Sequence, residues 1–145
     1  MATTATVSLA SDISAGFAGY GKTMTLTKAG TVTDISETTG FSRRKLSAIT
    51  AVDLVVMANE LVEPLDNTAA KIYIKNAGYQ GVIDKSDYVT ISVGVSDGTF
   101  QNIGRLYGGD WMMMPVTVVD GQDVIATPFT DTTVVLEYVM FYEEA

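Results

Sequence analysis

The sequence predicts an all-β domain: an antiparallel β-sandwich or jelly-roll-like barrel with an extended N-terminal segment. Three observations predict it. Apolar residues make up 47% of the 145 and the mean hydropathy is +0.23, which excludes a disordered chain, yet they come in short runs broken by Thr, Ser, Gly and Asp. Within the clearest runs the apolar positions recur at every second residue, the period of a strand with one buried face. Turn signals separate the runs at roughly 8–12-residue intervals, which gives roughly eight to eleven short strands.

The elements follow in order. Residues 3–9 alternate Thr, Ala, Val and Leu as a first strand, and 10–21 form a loop rich in Ser, Gly and Asp. Met24 and Leu26 share one face of a threonine-rich strand, 31–35 read as another short strand, and 37–42 as a polar turn. Over 46–62 the apolar spacing fits helix or strand. Ile49, Val52, Val55 and Val56 are β-branched, so the segment is expected to be mainly strand, with any helical turn confined to 57–61. Ala70, Ile72 and Ile74 alternate with Lys71, Tyr73 and Lys75, and Val89, Ile91, Val93 and Val95 alternate with Tyr88, Thr90 and Ser92. A hairpin through Gly108-Gly109, a tight turn at 120–123 and two closing strands over 124–127 and 133–141 complete the chain. Length suits one compact domain, divided here into an N-terminal β segment or arm over 1–65 and a sandwich core over 66–145.

Composition narrows function more than it identifies it. Cysteine and histidine are absent, which removes disulfides, thiolate nucleophiles, Ser-His-Asp triads and the usual zinc-hydroxide centres. The net charge of −8 and a pI near 4.3 repel phosphate backbones and anionic lipid. Neither a nucleic-acid nor a membrane partner is expected. No apolar run reaches the roughly 18 residues of a membrane helix, and the start of the chain lacks the basic and apolar regions of a signal peptide.

Two motifs invite chemistry and are read structurally. Residues 16–23 match the P-loop expression G-x-x-x-x-G-K-[ST], but Lys22 and Thr23 lead into an alternating run, whereas a phosphate cradle needs the start of a helix there. Asp84 with Asp87, and Asp120 with Asp123, lack calcium-loop spacing and read as turn residues. No catalytic, cofactor or metal site is predicted. For partner contact the candidates are Arg43, Arg44 and Lys45, which read as a charged sheet edge or as a dock for an acidic partner, and Trp111, Met112, Met113 and Met114. In that second run both strand faces are apolar, Trp111 and Met113 on one and Met112 and Met114 on the other. Val134 to Tyr142 behaves alike, with Leu136, Tyr138 and Met140 opposing Val135, Val139 and Phe141. A strand apolar on both faces is central in a layered domain or has one face in an intermolecular contact.

Three segments together resemble a known pattern. Asp66-Asn67-Thr68-Ala69-Ala70-Lys71-Ile72-Tyr73-Ile74-Lys75-Asn76, then Ile103-Gly104-Arg105-Leu106-Tyr107-Gly108-Gly109-Asp110-Trp111 with Pro115, then Val135-Leu136-Glu137-Tyr138 resemble a pattern in small tailed-bacteriophage virion proteins. Its shape is K-I-Y-I-K-N, a strand, G-x-L-x-x-G-D/E-aromatic-x-x-x-P, and a closing L-E-Y strand. The resemblance covers somewhat over half the chain and leaves the first 65 residues unmatched. It implies a β-sandwich exposed on the particle, a head decoration or cement protein on the major capsid protein or other virion proteins. A virion location after assembly in the bacterial cytoplasm goes with it, and the strands apolar on both faces add the expectation of a homo-oligomer, a trimer being one form. A tail, neck or fibre component and a carbohydrate-binding module stay open beside it. An enzyme is the class with least support.

Overall fold

The computed structural model describes residues 4–9, 20–25, 37–38, 40–57, 68–79, 82–84, 87–131 and 133–142, of which 4–9, 20–25, 37–38, 68–69 and 142 are described by backbone alone. In chain order the strands are β1 (Thr4–Leu9), β2 (Tyr20–Thr25), β3 (Glu37–Thr38), β4 (Ser42–Leu46), β5 (Val52–Val55) and β6 (Thr68–Asn76). They continue as β7 (Tyr88–Gly94), β8 (Phe100–Tyr107), β9 (Trp111–Val118), β10 (Asp123–Pro128) and β11 (Val134–Tyr142). The all-β expectation holds. The expected strand at 31–35 lies outside the described residues, as do all but Met57 of the expected helical turn.

The pairing of β4 to β11 is nested. β4 pairs with β11, β5 with β10, β6 with β9 and β7 with β8, all antiparallel, as in one long hairpin whose tip is the β7–β8 turn. That hairpin is rolled up by two further antiparallel ladders, β11 on β6 and β10 on β7. The result is a four-stranded sheet ordered β5-β10-β7-β8 facing a five-stranded one ordered β3-β11-β6-β9, with β4 beside β3 on the same edge of β11. Eight strands in this arrangement make a jelly roll. β1 and β2 form a separate two-stranded sheet.

Two corrections follow. β4 and β5 are required members of the roll, so the sandwich begins upstream of residue 66 and residues 1–65 are not as a whole an arm. The expected polar turn over 37–42 instead holds β3 and the start of β4. The three cations of Ser42–Leu46 hide the alternation there, and short edge strands are recognised by their partners rather than by their own pattern.

The core lies between the sheets. Ile72, Ile74, Leu136 and Met140 of the five-stranded sheet meet Val89, Ile91, Leu106, Val124 and Ala126 of the four-stranded one, all buried. Each such Ile or Leu contributes about 1.5–3 kcal/mol over its exposed state. One polar residue holds the layers together at the end near the β8–β9 turn. Asn76 is fully buried; its Nδ2 donates to Leu106 O across the sandwich at 3.1 Å, and its Oδ1 accepts Gly78 N at 3.0 Å. Its backbone N–H donates to Asp110 O and its carbonyl accepts Gly109 N, both at 2.9 Å. The turn that follows β8 is packed so closely that a Cβ on Gly108 would lie 2.5 Å from Asp84 O.

Candidate interaction surface

Register fixes which side chains share the outer face of the five-stranded sheet. Glu137, Lys75 and Trp111 form one row across β11, β6 and β9; Val139, Tyr73 and Met113 form the next; Phe141, Lys71 and Pro115 form the third. β4 adds Arg43 opposite Glu137 and Lys45 opposite Val135. The inner positions between them are the core residues Ile72, Ile74, Leu136 and Met140, so the alternation read for Ala70 to Lys75 and for Val134 to Phe141 is realised.

The candidate contact residues therefore divide. Trp111 stays 47% exposed and Met113 half-buried on the outer face, while Met112 and Met114 turn inward and pack on the core. That inward packing takes Met112 and Met114 off the contact side. The basic cluster forms the charged edge strand β4, and each cation has a partner in the chain. Arg43 pairs with Glu137 at 3.2 Å, Arg44 donates to the carbonyl of Asp53 in the opposite sheet, and the Lys45 ammonium sits 5.3 Å from the centre of the Tyr79 ring.

At the centre of the outer face, the Tyr73 and Trp111 rings lie 6.0 Å apart, tilted by 33°. Burial raises the Tyr73 hydroxyl above its ordinary pKa, and the nearby Glu137 carboxylate raises it further. Among the described residues, the side chains of this face count four cations, Arg43, Lys45, Lys71 and Lys75, against Glu137 alone. On a chain of −8 that is a local +3, which leaves −11 for the rest.

The outer face of the four-stranded sheet is different. Ile125 and Ser92, adjacent across β10 and β7, are fully buried there, and Thr127 Oγ1 and Asp53 Oδ1 are shielded from solvent. The middle of that layer is closed within the chain at Ile125 and Ser92, whereas the five-stranded one keeps an accessible apolar centre.

The chemistry-bearing motifs resolve into structure. Lys22 and Thr23 lie within strand β2 and face Val7 and Thr6 in its ladder, not at the head of a helix. Asp123 Oδ1 accepts the Met57 N–H at 2.8 Å, and Asp87 Oδ1 accepts the Thr130 hydroxyl at 3.3 Å. Among the described residues no group of three or more acidic, His or Cys side chains could hold a metal ion.

A second surface has no signal in the linear sequence. Phe129 stacks on Tyr88 at 4.5 Å, Tyr107 lies 5.4 Å from the same ring, and the Arg105 guanidinium sits 4.5 Å from it. These residues come from two strands and a loop, and only the fold brings them together. No family model matches the chain, and no curated protein does.

Proposed function

We propose that the chain is a non-enzymatic structural protein of a bacteriophage particle, a head decoration or cement protein that binds the outer shell and associates with its own copies. The observation that carries this reading is the outer face of the five-stranded sheet. Trp111, Met113, Tyr73, Val139 and Phe141 form an accessible apolar centre, whereas the middle of the other outer layer is closed at Ile125 and Ser92. Apolar surface of this kind on a small domain is covered in use, and covering it contributes about 25 cal/mol per Å² before ordering costs. Met and aromatic anchors suit a protein partner. The jelly roll itself serves viral capsid and lectin domains alike, so fold-level analogy favours both this reading and a sugar-binding one. The Tyr73–Trp111 pair is the one feature that favours a sugar platform, but its rings are tilted by 33° rather than coplanar.

Copy number per purified particle tests the proposal. A decoration protein is present in fixed proportion to the shell subunits, whereas a tail, neck or fibre component is present in a few copies. Absence from particles, together with saturable glycan binding abolished by Trp111→Ala, would overturn it.

A further inference from the structure

The outer face of the five-stranded sheet has a counterpart elsewhere on the chain. Where β7 begins and β8 ends, the exposed Tyr107 (40%) and Phe129 (55%) flank the Tyr88 ring, and Ile83 (51%), ahead of β7, is exposed as well. Ile83 packs at Gly108 and Gly109, and the Phe129 N–H donates to Tyr88 O at 3.0 Å, so these segments are contiguous. The rim is acidic. Asp84, Asp87, Asp110 and Asp131 stand there against Arg105 alone among the described side chains, and Asp84 and Asp131 are exposed. Counted over the described side chains, one surface thus has an aromatic centre with a cationic surround of +3, and the other an aromatic centre with an anionic surround of −3.

We infer that the basic face of one copy docks on the acidic end of a second copy, so that copies associate head to tail. The inference rests on the reading that the sheet face is a protein contact, and it names the partner as the chain itself. A basic face cannot pair with itself by a two-fold axis without opposing Arg43, Lys71 and Lys75 to like charges, whereas opposite rims attract and fix the register of the contact. The two surfaces lie on opposite outer layers: Trp111 opens the five-stranded face and Tyr107 closes the outer side of the four-stranded sheet, with the β8–β9 turn between them. A contact between two different surfaces is heterologous, and such contacts build closed rings when the rotation closes. This is the association that a trimer on a shell requires.

Two double variants test it by sedimentation velocity. Lys71→Glu/Lys75→Glu removes the basic face and keeps the acidic end; Asp84→Lys/Asp131→Lys does the reverse. Wild type is expected to be oligomeric at about 50 mM salt and to dissociate by about 0.5 M, since rim charges are screened there. Each variant alone is expected to be monomeric, with the far-ultraviolet spectrum and thermal transition of wild type establishing that it is folded. Mixed one to one, the two variants are expected to form a heterodimer, because each retains the surface the other lacks. A wild type monomeric at low salt, a variant that still self-associates, or a mixture that stays monomeric would each overturn the inference. If a monomeric wild type still binds shells through Trp111, only the identity of the partner is lost. If wild type forms head-to-tail oligomers but is absent from particles, the inference stands and the virion reading fails.

Discussion

Among the described residues, replacing Asn76 by Ala is expected to be the most damaging single polar truncation. The side chain is fully buried and makes two hydrogen bonds to backbone groups, Leu106 O at 3.1 Å and Gly78 N at 3.0 Å. Truncation removes both bonds and strands two buried backbone groups. Each stranded group costs about 1–3 kcal/mol, which places the loss at about 2–6 kcal/mol for the pair, with about 4 kcal/mol as the central value. A chain of this length is expected to have a total stability of roughly 7–15 kcal/mol, so a quarter or more of it would go. At about 2–4 °C per kcal/mol, the melting temperature should fall by about 10 °C. Asn76→Asp separates the hydrogen bonds from simple packing. Its protonated carboxyl can still donate to Leu106 O, but its ionised form points a charge at that carbonyl. Its folded pKa is raised, so the variant is most stable below the ordinary carboxylate range and loses stability as pH rises through the folded value. Urea denaturation across pH 4 to 8 reads both effects. A loss under about 1 kcal/mol for Asn76→Ala, or a pH-independent Asn76→Asp, would refute the account of Asn76 as the tie between the sheets.

Three other tests follow from the same geometry. Met113→Asp is expected to leave the melting temperature within a few degrees of wild type while lowering association, and Met112→Asp to unfold the chain, because only Met112 packs on the core; paired melting and sedimentation runs check both. Gly108→Ala drives a Cβ against Asp84 O at 2.5 Å and is expected to cost about 1–3 kcal/mol, whereas Gly104→Ala, with nothing within 4 Å of its Cβ, should be neutral in the same urea titration. Spectrophotometric titration of the seven tyrosines should show one ionising above the ordinary value of about 10, and Glu137→Gln should bring it only partly back because burial is the larger cause. The sign for stability is that the raised Tyr73 pKa contributes below its unfolded value and is lost as pH rises through the folded one.

Much of the fold was legible because β6, β7, β9 and β11 each carry a long alternating or doubly apolar run. Alternation also separated Trp111 and Met113 from Met112 and Met114, although only the fold shows which pair is inward. What stayed hidden depends on pairing. Val52–Val55 could not be placed opposite β10, nor Ser42–Leu46 opposite β11, because a four- or five-residue edge strand gets its position from its partner's backbone. Asn76 carries no signal of its role, since nothing local reveals that Leu106 O lies across the core from it. The acidic end was invisible for the same reason: residues 82–84, 87, 107–110 and 129–131 converge only after the hairpin is rolled.

The residues that carry the phage-protein resemblance do two separable jobs, and the pleat divides them. In Lys71-Ile72-Tyr73-Ile74-Lys75-Asn76 and Leu106-Tyr107-Gly108-Gly109-Asp110-Trp111, the inward members are Ile72, Ile74, Asn76 and Leu106. They join the second segment to the first through Leu106 O, Gly109 N and Asp110 O, all bonded to Asn76. That knot sets the position of the β8–β9 turn, and through it the register of β9 on β6, which places Trp111 beside Lys75 and Met113 beside Tyr73. The outward members Lys71, Tyr73, Lys75 and Trp111 form the basic aromatic face only because the inward ones hold that register. A slip of one residue along β9 would move Met112 and Met114 outward and bury Trp111 and Met113. The local core and the proposed contact are therefore two faces of one register. Damage at Asn76 should weaken association by displacing Trp111 and Met113, whereas damage at Trp111 should weaken association and leave the knot intact.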